Sequence, residues 1–179
     1  QLLPLPGGGT VLARAVAPHL EAGLARVLGV LGWDAARVQA AAGLPNDPRL
    51  CVIVNEAWEE GMASSLRRGI EACGGAEAVL VALGDEPGVT VRCIESLLAA
   101  WSSQTPLVVP VREGRPSRPV IFSRSLFPEL LRLTGDEGGR RVVRQYWGQA
   151  VQVEAEPLLD LDTQADYQAL FGESGILPR

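Results

Sequence analysis

The chain contains no lysine, and its 16 basic residues are all arginine. Within these 179 residues there is therefore no Schiff-base lysine and no lysine point charge to set against a phosphate. Histidine is almost as scarce. The single one, His19, has no second metal-ligand residue near it in sequence and reads as a helix-surface residue. The three cysteines, Cys51, Cys73 and Cys93, are widely separated in apolar settings. That spacing suits reduced thiols better than a disulfide framework or a zinc site, and a cytoplasmic location is expected. No apolar run is long enough to cross a bilayer, and none reads as a signal peptide. There is no excess of positive charge either: the net charge is -5, which argues against a non-specific nucleic-acid surface.

What the chain does have is a continuous apolar run, Ala78 to Leu83, followed at once by Gly84-Asp85-Glu86-Pro87. A short run without polar alternation suits a strand buried on both faces, as in a parallel sheet under helices. Gly84 gives a tight exit, Pro87 and Gly88 turn the chain, and Thr90 can cap a helix from Val91 to Trp101. An acidic pair thus follows the carboxyl end of a central strand, where open α/β sheets bind ligands. A carboxylate there, beside a phosphate-rich ligand, can hold Mg2+. A solvated acidic turn is the other reading of the same residues.

The rest of the chain punctuates itself. Gly7-Gly8-Gly9 is a connector, with no strand before it and no Gly-Lys-Ser/Thr ending. Thr10 caps a helix to about Leu24 with Leu12, Val16 and Leu20 on one face and Pro18 inside. Arg26 to Leu31 reads as a strand, and Asp34 caps a helix from Ala35 to Ala42. Leu50 to Val54 is a further strand, and Gly61 to Cys73 a helix with Leu66 and Ile70 inward and Arg67 and Arg68 outward. Leu107 to Val109 and Pro119 to Phe122 are strands flanking an arginine- and proline-rich excursion. Ser123 caps a helix to Leu133, Asp136 opens one to Tyr146, and Val151 to Val153 is a last strand. Asp160 and Asp162 lie in a turn before a final helix, Gln164 to Leu170. Strands alternate with helices from Arg26 to Trp101, so an α/β fold with a mostly parallel, right-handed sheet is expected, in one domain over 1–179.

Four segments, in order, resemble the MobA-like nucleotidyltransferases, and most closely the molybdenum cofactor cytidylyltransferase branch. Asn55 to Leu66 is similar to that family's Asn-x-x-Trp-x-x-Gly-Met-x-x-Ser-Leu stretch. Leu83 to Pro87 resembles its Gly-Asp-Gln-Pro motif. Arg118 to Phe122 with Gly135 to Arg140 resembles its Pro-x-x-Phe and Gly-Asp-x-Gly-Ala-Arg segments, and Asp160 to Thr163 its closing Asp-x-Asp-Thr turn. The resemblance implies a Rossmann-like three-layer fold. It also implies a Mg2+-dependent transfer of a nucleotide, CMP first among candidates, from an NTP (CTP or GTP) to molybdopterin or the molybdenum cofactor, with release of pyrophosphate. Asp85 would then be the catalytic metal carboxylate, with Asp162 as a second ligand; a plain acidic helix start is the other reading of Asp162. Gly61, Met62, Ala63, Ser64, Ser65 and Gly84 would contact the nucleotide. Arg115, Arg118 and Pro119 would face the acceptor, with a solvated arginine loop as the alternative.

The departures from the family pattern matter as much. Its glycine-rich phosphate loop and the lysine after it would lie upstream of Gln1, and their strand would sit beside Val79 to Leu83. Without them, turnover by residues 1–179 is expected to be near background. Glu86 replaces the usual glutamine, and Ser117-Arg118 replaces a usual Gly-Asn or Gly-His. A non-catalytic module that binds the cofactor and delivers it to a partner enzyme, such as a molybdenum hydroxylase, is the competing reading. Neither reading calls for nucleic acid or a membrane.

Overall fold

The fold is that of a computed structural model in which residues 1–5 and 8–155 are described. Asp160, Asp162 and the expected final helix lie outside the described residues. Helix α1 spans Val11–Glu21, and the Thr10 hydroxyl accepts from the Ala13 amide at 3.2 Å, satisfying one of the helix's free N-terminal donors. Leu12, Val16 and Leu20 are buried on one face, as their spacing demands. His19 shares that face, between Val16 and Leu20, and is buried rather than on the surface.

Strand β1 (Val27–Leu31) pairs in parallel with β2 (Leu50–Val54) around helix α2 (Ala35–Ala41). Asp34 precedes α2 in a left-handed conformation (φ 53) and makes no side-chain cap, so the expected cap is absent. Helix α3 (Met62–Ala72) follows β2 and returns to β3 (Ala78–Val81). Ile70 is buried and Arg68 exposed, as expected, but Arg67 turns inward, donating to the Leu133 carbonyl at 2.6 Å and to Glu60 at 2.8 Å. Helix α4 (Val91–Ala100) is capped by Thr90, whose hydroxyl accepts from the Cys93 amide at 3.2 Å.

The second half builds the densest layer. Strand β4 (Leu107–Arg112) turns tightly into β5 (Arg115–Pro116), and β6 (Val120–Ser123) runs back antiparallel between β3 and β4. Helix α5 (Phe127–Leu131) and helix α6 (Arg140–Tyr146) precede β7 (Ala150–Glu154), which lies parallel to β4. Neither Ser123 nor Asp136 caps its helix. The Ser123 hydroxyl takes the Trp101 indole N–H at 2.9 Å, and Asp136 is drawn to α3.

The sheet is mixed, which corrects the expectation of a mostly parallel one. The pairs β1–β2 and β4–β7 are parallel, whereas β3–β6, β4–β6 and β4–β5 are antiparallel. The cause is local. The turn at Glu113-Gly114 reverses the chain within two residues, so β6 must enter against its neighbours.

Layering follows from the alternation of side chains. Val79 and Val81 face α3 with Leu107, Val109 and Phe122, while Leu80 faces α4 with Leu97, Val108 and Ile121. Strands β4 and β6 are buried almost throughout. By contrast β3, expected to be buried on both faces, is only half-buried at every residue. Among the described residues it pairs along one edge alone, with β6, and β1 likewise pairs only with β2. The three cysteines carry free thiols, and burial pushes that of Cys73 up. No helix among the described residues is long and apolar enough to cross a membrane.

Candidate functional site

The two acidic residues after β3 have separate fates. Gly84 passes so close to α1 that a Cβ there would lie 2.9 Å from the Leu12 methyl, so the turn is held from behind. Pro87 and Val89 are buried, and weak amide bonds from Glu86 to Leu83 and from Val89 to Glu86 close it. This leaves Asp85 exposed at the carboxyl end of the strand, with no hydrogen bond or ion pair to any described residue. Glu86 is turned the other way, its side chain only 11% exposed. Its Oε1 accepts from Arg118 Nε at 2.6 Å and from Arg118 Nη2, while its Oε2 is buried without a partner among the described residues. The two departures from the family pattern thus meet as one ion pair.

Arg118 and Pro119 lead into β6 through a cis peptide bond, and Pro119 is fully buried. Arg115 is exposed on β5, opposite Arg112. The structure therefore brings Asp85, Glu86, Arg112, Arg115 and Arg118 to the same end of the sheet's strands, since β3 and β4 run the same way on either side of β6. Sequence reasoning passed over Arg112. Its signal was its position as the last residue of an apolar strand.

The start of α3 forms a second cluster. Asn55, just past β2 and buried, donates from Nδ2 to Ser64 Oγ at 2.7 Å and to Ser65 Oγ at 3.0 Å. Its Oδ1 accepts from the Ala57 amide at 3.1 Å, which fixes which end is which. Ser64 Oγ also donates to the Gly61 carbonyl at 2.8 Å. The Ala63 amide bonds the Gly135 carbonyl at 2.9 Å, and the Met62 amide reaches Asp136 Oδ1 at 3.4 Å. Gly61 has φ 96, and a Cβ there would lie 2.5 Å from the Gly135 backbone. Hence Gly61, Met62, Ala63, Ser64 and Ser65 do come together, but their foremost donors are taken up within the protein. Trp58, just before this cluster in the chain, packs over Gly32, and the next residue, Trp33, is 68% exposed just past β1.

The residues fit a divalent cation in one particular way. No group of three or more His, Cys, Asp or Glu among the described residues could enclose a metal. Mg2+ does not ask for such a cage, since one or two carboxylates, water and substrate phosphates complete its shell. Asp85 offers the carboxylate. Glu86, spent on Arg118, does not.

A family model described as MobA-like NTP transferase domain matches residues 1–151. A protein named nicotine blue oxidoreductase, from Paenarthrobacter nicotinovorans, is 34% identical over 156 residues, covering 80% of this chain and 72% of that protein. Purine catabolism protein PucB of Bacillus subtilis (strain 168) is 29% identical over 143 residues, 76% of this chain and 67% of the relative. Among solved structures, Rv0371c of Mycobacterium tuberculosis H37Rv, in complex with manganese, superposes with a TM-score of 0.75 at 28% identity. That match covers 94% of this chain and 89% of the other. A nucleotidyl transferase from Methanothermobacter thermautotroptrophicus gives a TM-score of 0.78 at 24% identity, over 95% and 82% of the two chains, and shares the α/β nucleotidyltransferase fold.

Proposed function

The chain belongs to the MobA-like NTP transferase family, and on that premise we propose that it transfers CMP from CTP to molybdopterin or the molybdenum cofactor. An oxygen of the acceptor's phosphate attacks the α-phosphorus of CTP. A new P–O–P linkage forms, the bond to the β-phosphate breaks, and pyrophosphate leaves. Such a reaction needs placement and charge neutralisation more than covalent help. The observation that carries the reading is Asp85: an exposed, unengaged carboxylate on a turn braced by Leu12, at the ligand-binding end of a sheet. In this reading Asp85 holds a divalent cation, Mg2+, and the cation would offset charge on the triphosphate. The manganese in the related Rv0371c structure supports a divalent ion in this family.

The other residues have graded roles. The Gly61 to Ser65 turn shapes the nucleotide wall, with Asn55 holding both serine hydroxyls in place. Arg115 and Pro119 lie on the acceptor side. Arg118 acts there through Glu86. Asp162 is retained as a second carboxylate for the same ion. A delivery module for the molybdenum cofactor, without catalysis, is favoured by one observation: the first amides of α3 are occupied by Gly135 and Asp136 instead of being free for phosphate.

A single-turnover experiment separates the two. Protein in excess is mixed with Mg2+, molybdopterin and CTP labelled at the α-phosphorus. The transferase reading expects label in the pterin product and one pyrophosphate per label, slowly, with GTP well behind CTP. Saturable pterin binding with no label transfer from any NTP would overturn it in favour of the delivery module.

A further inference from the structure

The arginines at the β4–β5 turn are arranged in an unfavourable way for a protein surface. Arg112 and Arg115 stand directly opposite each other across a two-residue turn, Glu113 (φ 50) and Gly114 (φ 74). Like charges so placed repel. Arg115 is exposed and can dissipate its charge into water, whereas Arg112 is half-buried. Two of its donors, Nε and Nη2, are buried and make no hydrogen bond to any described residue. Those two atoms form the edge of the guanidinium that suits bidentate binding of an oxyanion. Glu86, a carboxylate at this end of the sheet, is bonded to Arg118 instead. A guanidinium edge that is buried, repelled and without a partner among the described residues is poised for an anion that arrives with the substrate.

We propose that Arg112 binds a phosphate group of the acceptor substrate through Nε and Nη2, with Arg118 reserved for positioning Glu86. The assignment rests on the transferase reading for the word acceptor, but the anion site itself does not depend on turnover. Arg112 closes β4 at the same end of the strands as Asp85, with only β6 between β3 and β4. Neighbouring strands lie about 4.8 Å apart, so a phosphate held by Arg112 stands roughly 10 Å from the β3 line, a span that a phosphoryl bridge and a metal-bound triphosphate can fill.

The test uses the full chain, inorganic phosphate as the probe and NMR of the Glu113 and Gly114 amides as the readout. Wild-type protein should show saturable shifts at these amides. R112Q should weaken phosphate binding roughly tenfold or more, since a charged bidentate contact is lost, and R112K should fall between. Thermal unfolding of R112Q should match or exceed wild type, since an unpaired buried charge is removed; a clear loss of stability would mark a structural role and overturn the proposal. CTP affinity in Mg2+ should be the same in R112Q and wild type. A parallel fall in CTP affinity would place Arg112 on the nucleotide's phosphates instead and contradict the acceptor assignment. Phosphate binding unchanged in R112Q would end the proposal even if CMP transfer is observed. Conversely, phosphate binding lost in R112Q without any transfer would leave the anion site standing and remove the transferase reading.

Discussion

Glu86 and Arg118 show how a departure at one position is answered at another. A glutamate in place of glutamine adds a charge to a poorly hydrated position, and desolvating a lone carboxylate is costly. The guanidinium of Arg118 supplies the counter-charge through two hydrogen bonds to Oε1. The pair should therefore behave as a unit. In a double-mutant cycle with E86Q and R118N, we expect each single variant to lose more stability than the double, with a coupling of roughly 0.5–3 kcal/mol by urea unfolding. Additive effects would mean that the two side chains do not depend on each other. Nothing in the sequence marked this pair, because residues 86 and 118 are joined only by the sheet. His19 is the opposite case. Its position three residues after Val16 and one before Leu20 put it on the apolar stripe, and the pattern was there to be used. The buried ring leaves its Nε2 without a partner among the described residues, and burial holds its pKa below the ordinary value of 6.5. A depressed histidine means that the unfolded chain binds the extra proton first. Stability is then complete above pH 6.5 and falls as the pH drops below it towards the folded value. Urea midpoints on either side of that pH should show this loss, and His19→Leu should flatten it.

At the scale of elements, the helix starts divide by where their polar residues are claimed. Thr10 and Thr90 cap their helices as read; the Thr10 hydroxyl accepts the Ala13 amide while donating to the distant Ala42 carbonyl at 2.6 Å, so its tertiary contact leaves the cap intact. Asp136 and Ser123 were expected to do the same and do not, because tertiary partners 74 and 22 residues away take them first. The start of α3 depends on one such long-range claim. Gly61 sits at φ 96 with the Gly135 backbone where a Cβ would be. Gly61→Ala should add backbone strain of roughly 1–3 kcal/mol and drive apart the α3 turn and the 135–136 loop. A fall in thermal midpoint together with loss of hydrogen-exchange protection at the Ala63 amide is expected. Protection retained at Ala63 would show that the loop does not hold the helix.

For the whole molecule, the alternation of strands and helices was legible from the order of apolar runs, caps and turn residues, and it yields the α/β fold. The order and direction of strands were not. The mixed sheet arises because the β4–β5 turn reverses the chain within two residues, and periodicity carries no record of which neighbour a strand then joins. The half-buried state of β1 and β3 has the same origin: each is apolar enough for a central strand, yet among the described residues each pairs on one side. Unpaired apolar edges recruit strands. Residues 1–179 expressed alone should accordingly associate with increasing concentration in sedimentation equilibrium, or unfold with a shallow, poorly cooperative transition. A stable, sharply unfolding monomer would show that these edges are covered within the chain.

Nucleotide binding that depends on a metal and on Asp85 is the central claim, and calorimetry with CTP measures it without requiring turnover. Wild-type protein should bind CTP in the presence of Mg2+ and lose that affinity when the ion is chelated. Asp85→Ala, confirmed as folded by its unfolding transition, should bind CTP weakly whether or not Mg2+ is present. An Asp85→Ala protein with undiminished, Mg2+-dependent affinity for CTP would contradict the account.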